Sequence, residues 1–340
     1  MFQYLLKKCV QGETLTASEA EQLMDGIMEG KTSPAQIASL LTLLTYRGET
    51  VEEITGFVRG MRKKMVPLKV DIENVVDTCG TGGDGASTFN ISTASAIVAS
   101  SLGVKITKHG NRAVSSKSGS ADVLECLGIP IQATNEQAVR SLHETGMTFL
   151  FAPVYHPAMK HAAQPRKELG FRTVFNALGP LANPARCKRQ VIGVYSLSLA
   201  QKMAETLVKL GAQHVMLVVG RDGLDEISIA AETDVVEVKD GNISQYVITP
   251  EDFGLRKGNI EETVVENAEE SAAIIMEVLQ NKGNKSATGA VLLNAAAALY
   301  VAGKAESLVQ GVHLAQYAIE SGTAYHQLLA LRNDEVVQHA

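Results

Sequence analysis

The stretch Val76-Asp-Thr-Cys-Gly-Thr-Gly-Gly-Asp-Gly-Ala-Ser-Thr-Phe-Asn-Ile-Ser92 decides the fold prediction, because an apolar strand gives way to glycines and hydroxyls and then to a helix. Glycine adopts backbone conformations that let several N–H groups converge on one anion. The positive end of the following helix points at the same place. The sequence therefore predicts a phosphate-binding loop between a strand and a helix. Its glycines are Gly80, Gly82, Gly83 and Gly85.

Three kinds of phosphate site begin this way, and the residues between the glycines help to separate them. A Walker loop has the spacing of Gly80 to Gly85, but it needs a lysine where Ala86 stands. A dinucleotide-binding loop needs an acid about 20 residues further on, and residues 102–108 contain none. Asp84 would repel an anion unless a metal or a sugar hydroxyl faced it, so it favours a sugar phosphate bound with a divalent cation. An ordinary strand-to-helix turn stays open as the alternative.

Length and composition indicate a globular protein with a substantial core. The 340 residues suit one large or two ordinary domains. Hydrophobic residues make up 45% and charged residues 20%, which excludes disordered and fibrous classes. The net charge is only −6 and no basic run occurs, so nucleic acid is not expected as the main partner. The four cysteines lack C-x-x-C spacing, and neither a signal peptide nor a membrane span is expected, so we predict a cytoplasmic protein.

Residues 1–66 predict a small all-helical domain. Three stretches of the capping-box type place a hydroxyl three residues before a Glu or Gln, and apolar residues follow each of them at helical spacing. The three pairs are Ser18 with Glu21, Ser33 with Gln36, and Thr50 with Glu53. Pro67 then predicts a linker, because proline cannot continue a helix.

Beyond the linker, apolar strands alternate with helices, which predicts an α/β domain with a mostly parallel central sheet. We assign residues 71–153 and 191–340 to this domain. Residues 154–190 are rich in His, Pro, Arg and Gly, and part of this segment is expected to join the helical domain.

Three local predictions refine the α/β domain. Residues 235–247 predict a hairpin that turns at Asp240-Gly241. Residues 287–303 are uncharged and rich in alanine, and they predict a buried helix too short to span a bilayer. Ser120 is expected to cap a short helix that ends at Gly128.

Two further loops carry residues suited to a phosphorylated ligand. Residues 108–120 combine cations with hydroxyls, and in a parallel sheet this loop emerges at the same edge as the glycine loop. The other loop follows an apolar strand and ends in Asp225 and Glu226. An acid pair suits Mg²⁺, which takes few protein carboxylates and keeps water and phosphate ligands. Taken alone, the first could be a solvated basic loop and the second an ordinary acidic turn.

The three loops together resemble the anthranilate phosphoribosyltransferase family in order and spacing. The motifs are Asp77-Thr-Cys-Gly-Thr-Gly-Gly-Asp-Gly85, Lys108-His-Gly-Asn-Arg112 and Gly223-Leu-Asp-Glu226, with further similarity at residues 164–169 and 176–184. The resemblance implies a fold of the nucleoside phosphorylase and phosphoribosyltransferase type. It implies Mg²⁺-dependent transfer of the phosphoribosyl group of phosphoribosyl pyrophosphate to the amine of anthranilate, in tryptophan biosynthesis. It also implies a homodimer formed through the helical domain.

The resemblance assigns the site residue by residue. Those expected to bind phosphoribosyl pyrophosphate are Gly80, Gly82, Gly83, Asp84, Thr88, Asn90, Ser92, Thr93, Lys108 and Ser120. Those expected to bind Mg²⁺ are Ser92, Asp225 and Glu226. Those expected to line the anthranilate site are Gly80, His109, Asn111, Arg166 and Gly179, with Arg166 meeting the carboxylate. No residue is assigned as a general acid or base, and no role is given to His143, His156, His161 or His214.

The chemistry of such a transfer agrees with these residues. Breaking the anomeric bond leaves a cationic sugar and an anionic leaving group, so cations around the pyrophosphate matter more than a strong base. Lys108 and Arg112 are expected to supply them together with the metal. A pyrimidine nucleoside phosphorylase is the nearest rival, but Asn111 and the pair Asp225 and Glu226 favour the transferase. A relative that binds nucleic acid without catalysis is disfavoured by the acidic net charge.

Overall fold

A computed structural model describes residues 1–113 and 117–332. The chain begins with four helices that pack on one another, where the sequence predicted three. They are α1 (Phe2–Val10), α2 (Ala17–Met28), α3 (Pro34–Arg47) and α4 (Val51–Lys64). Their apolar faces form one buried cluster that includes Leu23, Leu40, Leu44 and Phe57. A small helical unit therefore precedes the sheet, as predicted.

Two of the three predicted capping boxes are confirmed, and the first is wrong by two residues. Ser33 with Gln36 and Thr50 with Glu53 cap α3 and α4, whereas Thr16 with Glu19 caps α2 in place of Ser18 with Glu21. Both candidate pairs for α2 fit the local pattern. Glu19 of the observed box also pairs with Lys8 of α1 at 2.9 Å, a contact between helices that the local pattern does not show.

Seven strands form one sheet in the order β3-β2-β1-β4-β5-β6-β7. The first five strands in this order run parallel, whereas the pairings of β5 with β6 and of β6 with β7 are antiparallel, so the prediction of a mostly parallel sheet is confirmed. The strands are β1 (Val76–Gly80), β2 (Ile106–Gly110), β3 (Met147–Phe151), β4 (Arg189–Gly193), β5 (His214–Gly220), β6 (Thr233–Lys239) and β7 (Asn242–Ile248). The hairpin of β6 and β7 turns at Asp240 and Gly241, whose φ angles of 50° and 81° both lie in the left-handed region, as a two-residue turn of type I′ requires.

Helices cover both faces of the sheet. They are α5 (Ile91–Ser101), α6 (Ser120–Cys126), α7 (Asn135–Glu144), α8 (Ala152–Tyr155), α9 (Lys160–Leu169), α10 (Val174–Leu181), α11 (Leu197–Lys209), α12 (Ala268–Leu279), α13 (Lys285–Val301), α14 (Leu308–Glu320) and α15 (Thr323–Arg332). Alternate residues of a strand face opposite sides, so Met216 of β5 packs with α5 and α13 while Leu217 packs with α11. The helix predicted from the alanine-rich stretch is α13, and it is buried along nearly its whole length.

The segment from α8 to α10 does not enter the sheet. Ala162, Phe175 and Leu178 lie in the same buried cluster as Leu40 of α3 and Phe57 of α4. This segment lies between β3 and β4 in the chain, so it connects the helical unit to the edge of the sheet. In the ranges that the structure describes, no helix is both long enough and apolar enough to cross a membrane.

Ser120 does not cap α6, contrary to the prediction. Gly119 is the capping position, and the carboxylate of Asp122 accepts its N–H at 3.1 Å and that of Ala113 at 2.8 Å. A carboxylate at the third helical position can satisfy free N–H groups without a hydroxyl at the cap. Ser120 is instead the first residue of the helix.

Candidate active site

The parallel strands bring three loops to one edge of the sheet. Strands β1, β2, β4 and β5 end there at glycines, namely Gly80, Gly110, Gly193 and Gly220. The glycine loop, residues 80–85, follows β1. The basic loop, which ends at residue 120, follows β2, and the acidic loop, which ends in Asp225 and Glu226, follows β5. Because open α/β sheets bind their ligands at the carboxyl ends of parallel strands, this edge is the candidate site.

The glycine loop needs glycine for two different reasons. Gly82, Gly83 and Gly85 have φ angles of 66°, 77° and 76°, which other residues rarely adopt. Gly80 has an ordinary φ, but a methyl group added there would lie 2.5 Å from Oδ2 of Asp225. Gly82, Gly83 and Gly85 therefore allow the backbone conformation of the loop. Gly80 instead leaves room for the side chain of Asp225, which belongs to another loop.

The acidic loop closes against the glycine loop. Oδ2 of Asp225 accepts the N–H of Gly82 at 2.8 Å, and Oε1 of Glu226 accepts the N–H of Ser92, in the first turn of α5, at 3.1 Å. Thus both predicted metal-binding acids contact donors that the sequence assigned to the phosphate site. Asp84 accepts the N–H of Ala86 at 3.2 Å and acts electrostatically on Asp225.

Burial and neighbouring charges change the ionisation of Asp225 and Glu226. Burial, followed by repulsion from Asp84 and Glu226, raises the pKa of Asp225 well above its ordinary value. Burial raises the pKa of Glu226 to about 7, although Lys108 opposes the shift. Both groups are therefore poised to gain from a positive charge placed between them.

Two residues that the sequence did not single out hold the acidic loop. Asn294 of α13 is 2% exposed. Its Oδ1 accepts the N–H of Ile227 at 2.9 Å, and its Nδ2 donates to the carbonyl of Ile227 at 3.0 Å. Gly193 lies beneath the loop, where an added methyl group would be 1.5 Å from the carbonyl oxygen of Asp225. The sequence contained a signal for each residue. Asn294 is a polar residue within an alanine-rich helix, and Gly193 is a glycine at the end of an apolar strand.

Lys108 is a buried cation next to the start of α5. Its Nζ donates to the carbonyl of Thr78 at 2.6 Å and to Oγ of Ser92 at 3.2 Å. The residue is 1% exposed, and burial lowers the pKa of its ammonium. It therefore brings positive charge to the helix end at which Glu226 also lies.

Arg112 is not a free cation, contrary to the prediction. Its Nη1 donates to Asp122 at 2.9 Å, and its two terminal nitrogens contact the carboxylate of Glu125 at 2.5 and 2.8 Å. Two acids of α6 thus neutralise the guanidinium. The sequence did not reveal this, because Glu125 reaches Arg112 only after the chain has turned into α6.

The other residues assigned to phosphoribosyl pyrophosphate lie around the same helix end. Thr88 forms a β-bridge with Val264 next to the glycine loop. Asn90 is the residue before α5, and its side-chain oxygen accepts the hydroxyls of Ser118 and Ser271. Thr93 is fully buried in α5, and its Oγ1 has no hydrogen-bond partner within the described part of the chain. Ser120 donates to the carbonyl of Asn111 at 3.4 Å.

His109 lies beside His156, a histidine to which the sequence prediction assigned no role. The rings of His109 and His156 are 5.1 Å apart, and among the described residues Nε2 of each ring has no partner. Burial lowers the pKa of His109 to about 3 and that of His156 to about 4, so both rings are neutral at pH 7. His156 follows β3 at the same sheet edge, and this position was the signal that could have found it.

The backbone around His109 ties two loops together. Its N–H donates to Oδ1 of buried Asp77 at 3.0 Å, and the backbone of Gly179 acts on its imidazole. A methyl group added at Gly179 would meet nothing within 4 Å, so this glycine faces open space. Asn111 is exposed, and its Oδ1 accepts the N–H of Arg112 at 2.8 Å.

Arg166 carries an uncompensated positive charge. Its Cζ lies 5.0 Å from the centre of the Phe175 ring, and burial lowers the pKa of its guanidinium. Within residues 1–113 and 117–332, no carboxylate pairs with it. A planar anion that brings its own negative charge is a suitable partner.

Known families match both parts of the chain. The profile of the glycosyl transferase family helical bundle domain matches residues 3–65, and that of the glycosyl transferase family a/b domain matches residues 72–325. An anthranilate phosphoribosyltransferase from Priestia megaterium is 62% identical over 340 residues, covering 100% of both chains. The chain belongs to the anthranilate phosphoribosyltransferase family.

Further relatives in this family agree with that membership. One from Geobacillus stearothermophilus is 60% identical over 100% of both chains. The crystal structure of the Thermus thermophilus anthranilate phosphoribosyltransferase matches with a TM-score of 0.90 at 44% identity, over 96% of this chain and 99% of the other. The Saccharomyces cerevisiae enzyme, in complex with phosphoribosyl pyrophosphate and Mg, matches with a TM-score of 0.90 at 27% identity, over 99% and 98%. The fold prediction is thereby confirmed.

Proposed function

We infer that this protein is an enzyme that transfers the phosphoribosyl group of phosphoribosyl pyrophosphate to the amine of anthranilate. The products are N-(5-phosphoribosyl)anthranilate and pyrophosphate, and the step belongs to tryptophan biosynthesis. The observation that carries this conclusion is 62% identity to an anthranilate phosphoribosyltransferase along the whole length of both chains. The meeting of glycine, basic and acidic loops at one sheet edge agrees with it. The same identity speaks against a pyrimidine nucleoside phosphorylase and against a nucleic-acid-binding relative.

We propose that the glycine loop and the start of α5 bind phosphoribosyl pyrophosphate. The supporting features are the left-handed glycines, the positive N-terminal end of α5 and the buried ammonium of Lys108. Backbone N–H groups and a fixed cation can stabilise the negative charge that develops on departing pyrophosphate without reorganising during the reaction. The proposed residues are Gly80, Gly82, Gly83, Asp84, Thr88, Asn90, Ser92, Thr93, Lys108 and Ser120.

The residues around Asp225 and Glu226 fit Mg²⁺. Their pKa values are raised by burial and by repulsion from neighbouring acids that include Asp84, and a divalent cation relieves both effects. Among the residues that the structure describes, no three His, Cys, Asp or Glu side chains form a ready metal cage, and Mg²⁺ commonly takes only one or two carboxylates and completes its shell with water and phosphate. We propose Ser92, Asp225 and Glu226 as its protein ligands. Bound Mg²⁺ supplies positive charge to the pyrophosphate oxygens.

We propose that anthranilate lies against His109, Asn111, Gly179 and Gly80, with its carboxylate on Arg166. Neutral His109 and His156 leave Arg166 as the positive group on this side, because their imidazoles stay uncharged at pH 7. Holding the amine beside the anomeric carbon would then account for much of the rate, without a general base.

A direct assay tests the function. Purified protein mixed with anthranilate, phosphoribosyl pyrophosphate and Mg²⁺ is expected to consume anthranilate fluorescence and to release pyrophosphate. Omission of Mg²⁺ is expected to stop both signals. If fluorescence persists with all three present while the protein binds DNA tightly, the proposed function is wrong.

Arg166→Ala is expected to raise the KM for anthranilate about tenfold or more, since a lost charge-assisted contact costs about 1.5 to 3 kcal/mol. The KM for phosphoribosyl pyrophosphate should change much less. Arg166→Lys keeps the charge but not the planar fork, so it should be intermediate. Lys167→Ala removes a neighbouring exposed charge from the same helix and serves as control. Equal effects of Arg166→Ala on both KM values would contradict the assignment.

We propose a homodimer formed through the helical unit. Four large apolar side chains of this unit are strongly exposed, namely Met1, Tyr4, Val10 and Tyr46, at 82%, 71%, 66% and 92%. Large apolar side chains exposed on one unit are suited to association. Light scattering of the wild type should give twice the mass of one chain, and Tyr46→Glu should shift it toward the monomer. We also propose a cytoplasmic location, because four free cysteines suit a reducing compartment.

We propose two domains within each subunit. One consists of residues 1–66 with part of 154–190, and the other of residues 71–153 and 191–340. Packing of α9 and α10 against α3 and α4 supports this division.

A further inference from the structure

Arg172 lies over the glycine loop, although no sequence motif pointed to it. It belongs to the short connection between α9 and α10. A methyl group added at Gly83 would lie 3.2 Å from Cδ of Arg172, so the arginine side chain already covers this glycine. Its Cζ stands 4.3 Å from the centre of the Tyr195 ring, within the range of a cation–π contact. The guanidinium is thus held next to the proposed phosphate site.

The backbone of this connection is anchored on two sides. Oγ1 of Thr45, in α3, donates to the carbonyl of Arg172 at 3.4 Å. Asn176 accepts the N–H of Thr173 at 3.1 Å and donates to the carbonyl of Thr81, in the glycine loop, at 3.3 Å. Arg172 is therefore presented by a segment that contacts both the helical unit and the loop.

The charge of Arg172 is uncommitted. In the described ranges of the chain, no carboxylate forms an ion pair with it, and its side chain is exposed. Arg112, by contrast, is neutralised by Asp122 and Glu125. Lys108 is a second cation near the proposed phosphate site, and it lies next to the start of α5. Arg172 thus supplies positive charge on the side of the glycine loop that Lys108 does not reach.

We propose that Arg172 binds a phosphate group of phosphoribosyl pyrophosphate over Gly83, with Tyr195 as the platform that orients its guanidinium. The ligand class follows from the neighbours, because Gly83 belongs to the loop whose N–H groups suit phosphate. A planar guanidinium can donate two parallel hydrogen bonds to such an oxyanion. The inference rests on the proposed function and adds a residue to its donor-substrate site.

Steady-state kinetics with both substrates varied is the first test. Arg172→Ala should raise the KM for phosphoribosyl pyrophosphate about tenfold or more while the KM for anthranilate stays within about twofold. Arg172→Lys should recover part of the loss. Tyr195→Leu, which removes the ring, should raise the same KM as Arg172→Ala does, to a smaller extent, and Tyr195→Phe, which keeps the ring, should raise it less than Tyr195→Leu does.

Arg140→Ala is the matched control, because it removes one exposed arginine from α7, away from the three loops. It should leave both KM values unchanged. Thermal unfolding of each variant shows whether the fold is kept. If the KM for phosphoribosyl pyrophosphate rises only in variants that are also unfolded, the proposal is overturned. A rise in the KM for anthranilate alone also overturns it, because Arg172 would then belong to the acceptor site.

Calorimetric titration with inorganic pyrophosphate and Mg²⁺ separates this inference from the proposed function. If the wild type binds pyrophosphate and Arg172→Ala binds it about tenfold more weakly, Arg172 is a phosphate ligand even if anthranilate is not the acceptor. If the two proteins bind pyrophosphate equally, the proposal fails while the transferase activity can stand.

Discussion

Asp225→Asn combined with Glu226→Gln is expected to abolish Mg²⁺-dependent activity and, in metal-free buffer, to raise the stability of the folded protein. Removing both carboxylates removes the proposed metal ligands. It also removes the cost of burying the Asp225 carboxylate and the repulsion among Asp84, Asp225 and Glu226, which together raise the pKa of Asp225. Loss of activity together with a gain of stability would show that the two acids serve binding and not folding.

The pH dependence of stability follows from the pKa of Glu226. This pKa is about 7 in the folded protein against 4.5 for an unperturbed glutamate. Because the folded-state value is raised, the stabilising contribution is fully present below about pH 4.5 and is lost as the pH rises through 7. The loss is on the order of 3 kcal/mol. Mg²⁺ should restore it in the wild type by binding the ionised form.

Thermal unfolding between pH 5 and 8.5, with Mg²⁺ or with a chelator, measures this behaviour. The wild type with chelator should lose stability toward pH 8, and the double variant should lose less and ignore Mg²⁺. Asp240→Asn with Glu251→Gln removes two exposed acids elsewhere and should behave as the wild type does. An unchanged Mg²⁺ titration of activity in the double variant would exclude Asp225 and Glu226 as metal ligands.

Gly193→Ala is expected to lower kcat/KM by about 100-fold or more, although Gly193 touches no substrate in our proposal. Its added methyl group would lie 1.5 Å from the carbonyl oxygen and 2.5 Å from the carbonyl carbon of Asp225. Contacts this short force the acidic loop off the end of β4, and overpacking of this kind costs about 1 to 3 kcal/mol of stability. Asp225 and Glu226 would then no longer meet Gly82 and Ser92.

Kinetics at increasing Mg²⁺, together with thermal unfolding, check the effect of Gly193→Ala. The Mg²⁺ concentration for half-maximal activity should rise. Gly26→Ala, within α2, is the control for a glycine substitution as such, because its added methyl group would be 3.3 Å from the hydroxyl of Thr32 and far from the three loops. Normal Mg²⁺ dependence of Gly193→Ala would show that the acidic loop tolerates displacement.

Much of the architecture could be predicted because its signals are local. Capping boxes, the turn at Asp240-Gly241 and the change from helical to strand periodicity each depend on residues within a few positions of one another. Where two local signals competed, as for Thr16 and Ser18 at the start of α2, the local pattern did not decide, and in the structure Glu19 of the Thr16 box also pairs with Lys8 of α1. The same limit applies to Ser120, because Asp122 had already satisfied the N–H groups at that helix start.

The fold class and the three loops could be predicted from the sequence, because the carboxyl ends of parallel strands meet at one sheet edge and bring together the glycines, cations and acids that follow them. Which of these side chains are available there depends on contacts in the folded protein. In the folded protein, acids of α6 neutralise Arg112, and His156 lies beside His109. Arg172 covers Gly83, and Asn294 holds the acidic loop by hydrogen bonds. These partners are far apart in the chain, and their contacts depend on distances and burial that no local pattern encodes.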